Sequence, residues 1–266
     1  MSQRTAVCTA VLMTDAEQVA HRVALVTGGT SGIGAATVVE FIARGWRVAF
    51  TGRREKEGAY LAAATGATYL PCDHLVAADC ERVVSSTLAT FGRLDALFNN
   101  AGLVLLGSVA DTTDDELHEV LNLNVVSVFR MCRLVMPAMT LARRGVIINC
   151  ASDWALVGGR RAAAYCASKG AVVALTRALA LDAAPDGVRV VAICPGDTMV
   201  ERWLREGYGR GTGAVPRDEA LLSTEIPMGR VATTREIARV VCFLASDDAS
   251  FMTGCAVPVD GGNTAQ

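Results

Sequence analysis

The chain has 266 residues, enough for one large domain, and 52% are hydrophobic, as expected where helices cover both faces of a sheet. Lys and Arg number 25 against 27 Asp and Glu, a formal net charge of -2, so no global field gathers nucleic acid or an anionic membrane surface. No run reaches the roughly 18 apolar residues of a membrane span, and the nine cysteines include neither a Cys-x-x-Cys pair nor a Cys/His cluster at zinc-site spacing, so the expectation is a cytoplasmic protein with reduced thiols and no metal centre.

Residues 1–20 read as a flexible extension: the apolar patch within Met1–Leu12 is short, Asp15, Glu17 and Gln18 follow it, a signal peptide is not expected, and Met13 is an alternative start. From residue 23 onward short β-branched or apolar runs alternate with segments of helical period, which predicts repeated βαβ units and a parallel sheet in a single dinucleotide-binding domain over 21–266. Seven strands are predicted: 23–27, 47–51, 68–72, 96–99, 145–150, 188–193 and 256–259. The first runs into Thr27-Gly28-Gly29-Thr30-Ser31-Gly32-Ile33-Gly34 and then a helix rich in Ala and Val. Glycines there permit a tight turn, let the backbone approach a pyrophosphate, and leave N–H groups at a helix N-terminus facing the anion. Gly28, Thr30, Ser31, Gly32, Ile33 and Gly34 are therefore candidate cofactor contacts.

The end of the second strand normally carries a carboxylate that accepts from the adenosine ribose, but here Gly52 is followed by Arg53 and Arg54. Two guanidiniums without a carboxylate favour NADP(H) over NAD(H), because Arg grips a phosphate in a bidentate way; a solvated basic turn is the other reading. Asn99-Asn100-Ala101-Gly102 closes the fourth strand. A helix over 114–136 opens on Asp and Glu, as the helix dipole favours, and Pro137 is expected to end it. Ser152 follows the fifth strand, at the carboxyl edge where open α/β sheets place ligands. On a helix over 162–182, Tyr165 and Lys169 are four apart and share a face. An adjacent ammonium favours phenolate, so Tyr165 is expected to titrate below its usual value and to act as a proton shuttle.

The segment 197–224 sets Trp203, Tyr208 and Pro216 among Gly207, Gly209, Gly211 and Gly213, and reads as a lid over the substrate. Asp153, Trp154, Val157 and Asp197 are candidate pocket residues; Trp203 and Tyr208 belong to the pocket or to a subunit interface. His21, His74 and His118 are isolated and carry no expected catalytic part, and Cys150, Cys166 and Cys194 read as small buried hydrophobes.

Thr-Gly-x-x-x-Gly-x-Gly at 27–34, Asn-Asn-Ala-Gly at 99–102, Ser152, Tyr165-x-x-x-Lys169 and Pro195-Gly196 together resemble the short-chain dehydrogenase/reductase family, over residues 23 to about 262. The resemblance implies an α/β fold, a Rossmann-like doubly wound seven-stranded parallel sheet flanked by helices, and a homotetramer or homodimer. It implies an oxidoreductase that interconverts a ketone and a secondary alcohol on a small organic substrate, with Ser152, Tyr165 and Lys169 catalytic and Asn124 holding a water of the proton relay. Asp73, with His74 beside it, would meet the adenine; Asn100, Ala101, Gly102, Tyr165, Lys169, Pro195 and Gly196 would contact the dinucleotide; and 258–262 would pack between subunits. The position that often carries a carboxamide-binding Thr is Val200, with Thr198 as its substitute. Two other readings are a dinucleotide sensor or scaffold without turnover, and an epimerase or dehydratase on the same fold.

Overall fold

In the computed structural model the described residues are 22–201 and 226–266. The predicted extension at 1–20 and most of the predicted lid therefore lie outside the described residues. Seven parallel strands form the main sheet: β1 (Val23–Val26), β2 (Arg47–Gly52), β3 (Thr68–Pro71), β4 (Ala96–Asn99), β5 (Gly145–Cys150), β6 (Val188–Pro195) and, after a separate short pair β7 (Thr198–Met199) and β8 (Ala232–Thr233), β9 (Ala256–Val259). The order is β3-β2-β1-β4-β5-β6-β9, so the winding reverses between β1 and β4. All seven predicted strands exist, with ends shifted by two residues or fewer; the β7–β8 pair was not anticipated.

Burial on both faces is written into the strands. In β1, Ala24 and Val26 pack into one core layer while Val23 and Leu25 pack into the other, the period-2 alternation of a pleated strand. The first layer is closed by α1 (Gly32–Ala43) and α7 (Thr234–Ala245) through Val38, Phe41, Ile237 and Val241. The second is closed by α3 (Ala77–Phe91), α5 (Ser127–Ala142) and α6 (Ala163–Ala183) through Val83, Met131, Val135 and Ala180. The remaining helices are α2 (Glu55–Thr65), before β3, and α4 (Asp114–Leu121). Each large side chain in these layers contributes on the order of 1.5–3 kcal/mol by leaving water.

The helical run from Asp114 to Ala142 departs from expectation twice. Pro137 does not end it: the proline sits inside α5, on the exposed side, where solvent can serve the carbonyl its missing N–H leaves unpaired. By length and mean hydropathy alone this run is long enough to cross a bilayer, and it lays Val128, Met131, Cys132, Val135 and Met139 on the sheet. Between α4 and α5 the winding widens into a π turn, Asn122–Val126, which carries Asn124 into the interior.

Candidate active site

A cleft of about 480 Å³ opens at the carboxyl ends of the strands, over the reversal between β1 and β4. Its floor is the glycine turn. Gly28 has φ +64°, and a Cβ on Gly34 would stand 2.3 Å from the Gly28 carbonyl oxygen, so neither position admits a side chain without moving backbone. Thr27 holds the turn against the β4 loop: its hydroxyl accepts from the N–H groups of Asn100 (2.9 Å) and Ala101 (3.0 Å), while Asn100 Nδ2 donates to the Thr27 and Gly28 carbonyls. Thr27 was not among the predicted site residues, although it opens the glycine motif. The glycines bring backbone to the cleft surface at the N-terminus of α1, as a pyrophosphate requires.

Gly28, Thr30, Ser31 and Ile33 line this end of the cleft, with Arg53, Arg54, Asp73 and His74 beyond them. A Cβ at Gly52 would come within 2.5 Å of Thr30 Cγ2, so the residue that usually carries the ribose-binding carboxylate has no room for one. Arg54 reaches Thr30 Oγ1 at 3.4 Å, and the Arg53 guanidinium stands 3.9 Å from the Asp73 carboxylate. His74 borders the cleft, but its ring is buried and turned to Thr51, with Nε2 2.7 Å from the Thr51 hydroxyl.

At the other end, Ser152, Tyr165 and Lys169 line the same cleft together with Asn100, Ala101, Gly102, Pro195, Gly196, Thr198 and Val200. α6 places Tyr165 and Lys169 one turn apart on its buried face, followed by Val172, Thr176 and Ala180 against the sheet. Trp154 meets the Tyr165 ring edge-on at 6.0 Å. Lys169 Nζ donates to the Cys150 carbonyl at 2.8 Å and lies 5.6 Å from the Tyr165 ring centroid.

The expected depression of Tyr165 is corrected here. Burial raises its pKa above the ordinary phenol value, the nearby Cys150 sulfur adds to the rise, and a hydrogen bond with the Ser152 hydroxyl opposes it. Burial also lowers Lys169. Desolvation thus overrides the pairwise attraction that the four-residue spacing suggested, and it moves the two groups apart in acidity, so that a shared proton favours the phenol over the amine.

The chain matches the family model described as enoyl-(acyl carrier protein) reductase over residues 28–264. It is 38% identical to an uncharacterized oxidoreductase of Thermotoga maritima, over 92% of this chain and 98% of the relative. It is 36% identical to a meso-2,3-butanediol dehydrogenase of Serratia marcescens, over 92% and 95% of the two chains. A 3-alpha-(or 20-beta)-hydroxysteroid dehydrogenase of Mycobacterium bovis is also 36% identical, over 92% and 90%. The chain belongs to the short-chain dehydrogenase/reductase family. It is an NAD(P)-dependent oxidoreductase that interconverts a ketone and a secondary alcohol.

Within this short-chain dehydrogenase/reductase, three residues assigned from sequence stand away from the cleft wall. Gly32 lies under Val200, whose side chain a Cβ there would meet at 3.2 Å, and Gly34 lies beneath the turn. Asn124 is buried, with Nδ2 donating to the Leu103 carbonyl (2.9 Å) and Ser168 Oγ (3.0 Å) and Oδ1 accepting from Leu103 N–H (2.9 Å). It ties the loop after Gly102 to α6, and a Cβ on Gly102 would find both Asn124 Oδ1 at 3.0 Å and Lys169 Nζ at 3.6 Å.

Around Ser152 stand Asp153 and Trp154, both expected in the pocket, and Asn263, which no local sequence signal marks. The Ser152 hydroxyl donates to Asp153 Oδ1 at 2.9 Å and accepts from Trp154 N–H at 3.2 Å. Asn263, 110 residues away near the carboxyl terminus, donates to the other Asp153 oxygen at 2.8 Å. Burial pushes the Asp153 carboxyl up, against the hydrogen bonds from Asn263 and Ser152.

Proposed function

We propose that this enzyme uses NADP(H) to reduce or oxidise a compact secondary alcohol/ketone pair by a Ser152–Tyr165–Lys169 relay supported by Asn124. The observation that carries the reading is that Ser152, Tyr165 and Lys169 border one cleft with a glycine turn in which Gly28 and Gly34 leave no room for a Cβ. The bound nicotinamide supplies or accepts the hydride. In reduction, the buried and therefore neutral Tyr165 gives its proton to the substrate oxygen, and Ser152 turns its hydroxyl from Asp153 to donate to the same oxygen. Lys169, its ammonium weakened by burial, returns the proton to Tyr165. Asn124 holds in place the segments carrying Gly102 and Lys169 through its hydrogen bonds to Leu103 and Ser168. In the oxidative direction each transfer runs backwards.

Arg53 and Arg54 at the cleft mouth, and the absence of room for a carboxylate at Gly52, support a 2′-phosphate on the adenosine. Asp153 and Glu119 stand in the cleft beside Leu103, Val104 and Leu123, a mixed lining suited to a small body with a polar substituent; the butanediol and hydroxysteroid relatives bracket the size range. Val126 and Phe129, 43% and 53% exposed and three apart on one helical run, support a homo-oligomer, with a tetramer as the assembly. The eight cysteines among the described residues are all free, which supports a reducing compartment, the cytoplasm.

A panel of ketones and secondary alcohols, followed by absorbance of the reduced nicotinamide with NADPH and NADH in parallel, tests the reading. Sustained turnover with NADPH is expected. Tight dinucleotide binding without net turnover across the panel would move the assignment to a sensor, or to an epimerase or dehydratase.

A further inference from the structure

Behind the adenine end of the cleft, three side chains that no part of the relay uses converge. Cys72 and His74 follow β3, and Cys80 lies in the first turn of α3. All three are buried, and one ligand atom from each lies within 4.8 Å of the other two. We infer that Cys72 Sγ, Cys80 Sγ and His74 Nδ1 form a three-ligand site for a thiophilic divalent cation of the zinc group.

The geometry suits such an ion. Cys80 Sγ stands 3.7 Å from His74 Nδ1, close to the roughly 3.6 Å that a tetrahedral centre imposes on a sulfur and a nitrogen at zinc bond lengths. The far ring nitrogen, Nε2, is 2.7 Å from the buried Thr51 hydroxyl. With Nε2–H donating to Thr51, the Nδ1 lone pair faces the sulfurs, the outer-shell arrangement that metal-bound histidines use. Arg130 fixes the His74 main chain by donating to its carbonyl at 3.0 Å. Two thiolates and a neutral imidazole cancel a divalent charge, so the loaded site is neutral and its burial is tolerated. The neighbouring carboxylate, Asp79, is occupied by Arg82 and the Asp73 N–H, which leaves a sulfur-nitrogen set unsuited to magnesium or calcium. Cys72 and His74 also border the cleft, which provides an entry path and an open side for a fourth, solvent ligand.

Occupancy would pin the turn that carries Asp73 and Leu75 on the cleft wall. Metal and dinucleotide affinities are then coupled, each strengthening the other by the same factor. The coupling rests on the proposed dinucleotide site; metal binding does not.

The test is titration of reduced, metal-free full-length protein with Cd²⁺, read by the thiolate-to-cadmium charge-transfer band, with Zn²⁺ as competitor. One equivalent per chain is expected. Cys80→Ala should abolish the band, Thr51→Val should weaken binding roughly tenfold or more, and Cys242→Ser, on the opposite layer of the sheet, should change nothing. In the wild-type protein, where no variant has to fold, Zn²⁺ should protect Cys72 and Cys80 from alkylation, mapped by mass spectrometry. Cadmium bound indifferently to Cys80→Ala, alkylation unaffected by zinc, or a Cys72–Cys80 disulfide as the only chemistry of the pair would each overturn the site. A metal-loaded protein whose NADPH affinity equals that of the metal-free form would remove the coupling and leave the site standing.

Discussion

Tyr165 and Lys169 share a helical face, but the environment around that face sets their protonation. Burial holds the phenol neutral and weakens the ammonium. Tyr165→Phe is expected to lower kcat by at least about 100-fold while leaving the NADPH dissociation constant nearly unchanged, measured by stopped-flow turnover and by fluorescence titration. Full retained activity would remove Tyr165 from the relay. At the opposite end of the cleft, Arg53→Ala/Arg54→Ala should weaken NADPH by roughly tenfold or more, since a charge-assisted hydrogen bond is worth about 1.5–3 kcal/mol. NADH affinity should change little. Equal loss for both dinucleotides would reduce the pair to the solvated basic turn. The Tyr-Lys spacing and the paired arginines were legible because both depend on near neighbours. The rise in Tyr165 was not, because it comes first from burial of the whole phenol in the folded chain, with Cys150 adding to it.

Helix α7 closes one core layer and is held at its start by a reciprocal cap: Thr233 Oγ1 accepts from Glu236 N–H at 3.3 Å, and Glu236 accepts from Thr233 N–H at 2.8 Å. Arg230 grips the same carboxylate and, with Thr233, holds its pKa down to about 2. A depressed carboxylate adds stability that is present above its unfolded value and is lost as pH falls from about 4.5 toward 2. Glu236 is partly exposed, so that share stays below about 1 kcal/mol. Glu236→Gln should therefore flatten the acid arm of Tm against pH across that window, and Thr233→Ala should lower stability by about 1 kcal/mol near neutrality; identical acid arms in wild type and Glu236→Gln would discount the cap. The cap was readable as Thr-x-x-Glu, yet α7 was not singled out from sequence. The π turn at Asn122–Val126 had no local signal, and Pro137 gave a false one, because its tolerance depends on facing water.

Across the whole molecule, the sheet reversal between β1 and β4 opens the cleft, and the carboxyl-terminal segment reaches back into it. Asn263→Ala leaves one oxygen of buried Asp153 without its donor and should cost about 1–3 kcal/mol in stability, together with a fall in kcat transmitted through Ser152. Thermal melts and steady-state kinetics on the same preparation check both, and unchanged melting would show that the contact contributes nothing. Phe129→Glu places a charge on the proposed subunit face and should shift the mass measured by light scattering to a smaller species; an unchanged mass would locate the interface elsewhere.

Sequence alone determined the seven strands of the main sheet, the glycine turn and the family, because these rest on periodicities and short motifs local to the chain. Only the tertiary structure decided that Asn263 meets Asp153, that Asn124 is spent on Leu103 and Ser168, and that Cys72, His74 and Cys80 share one buried point. Those pairings depend on how layers dock, and desolvation, which decides the protonation of the relay, depends on every neighbour that docking brings.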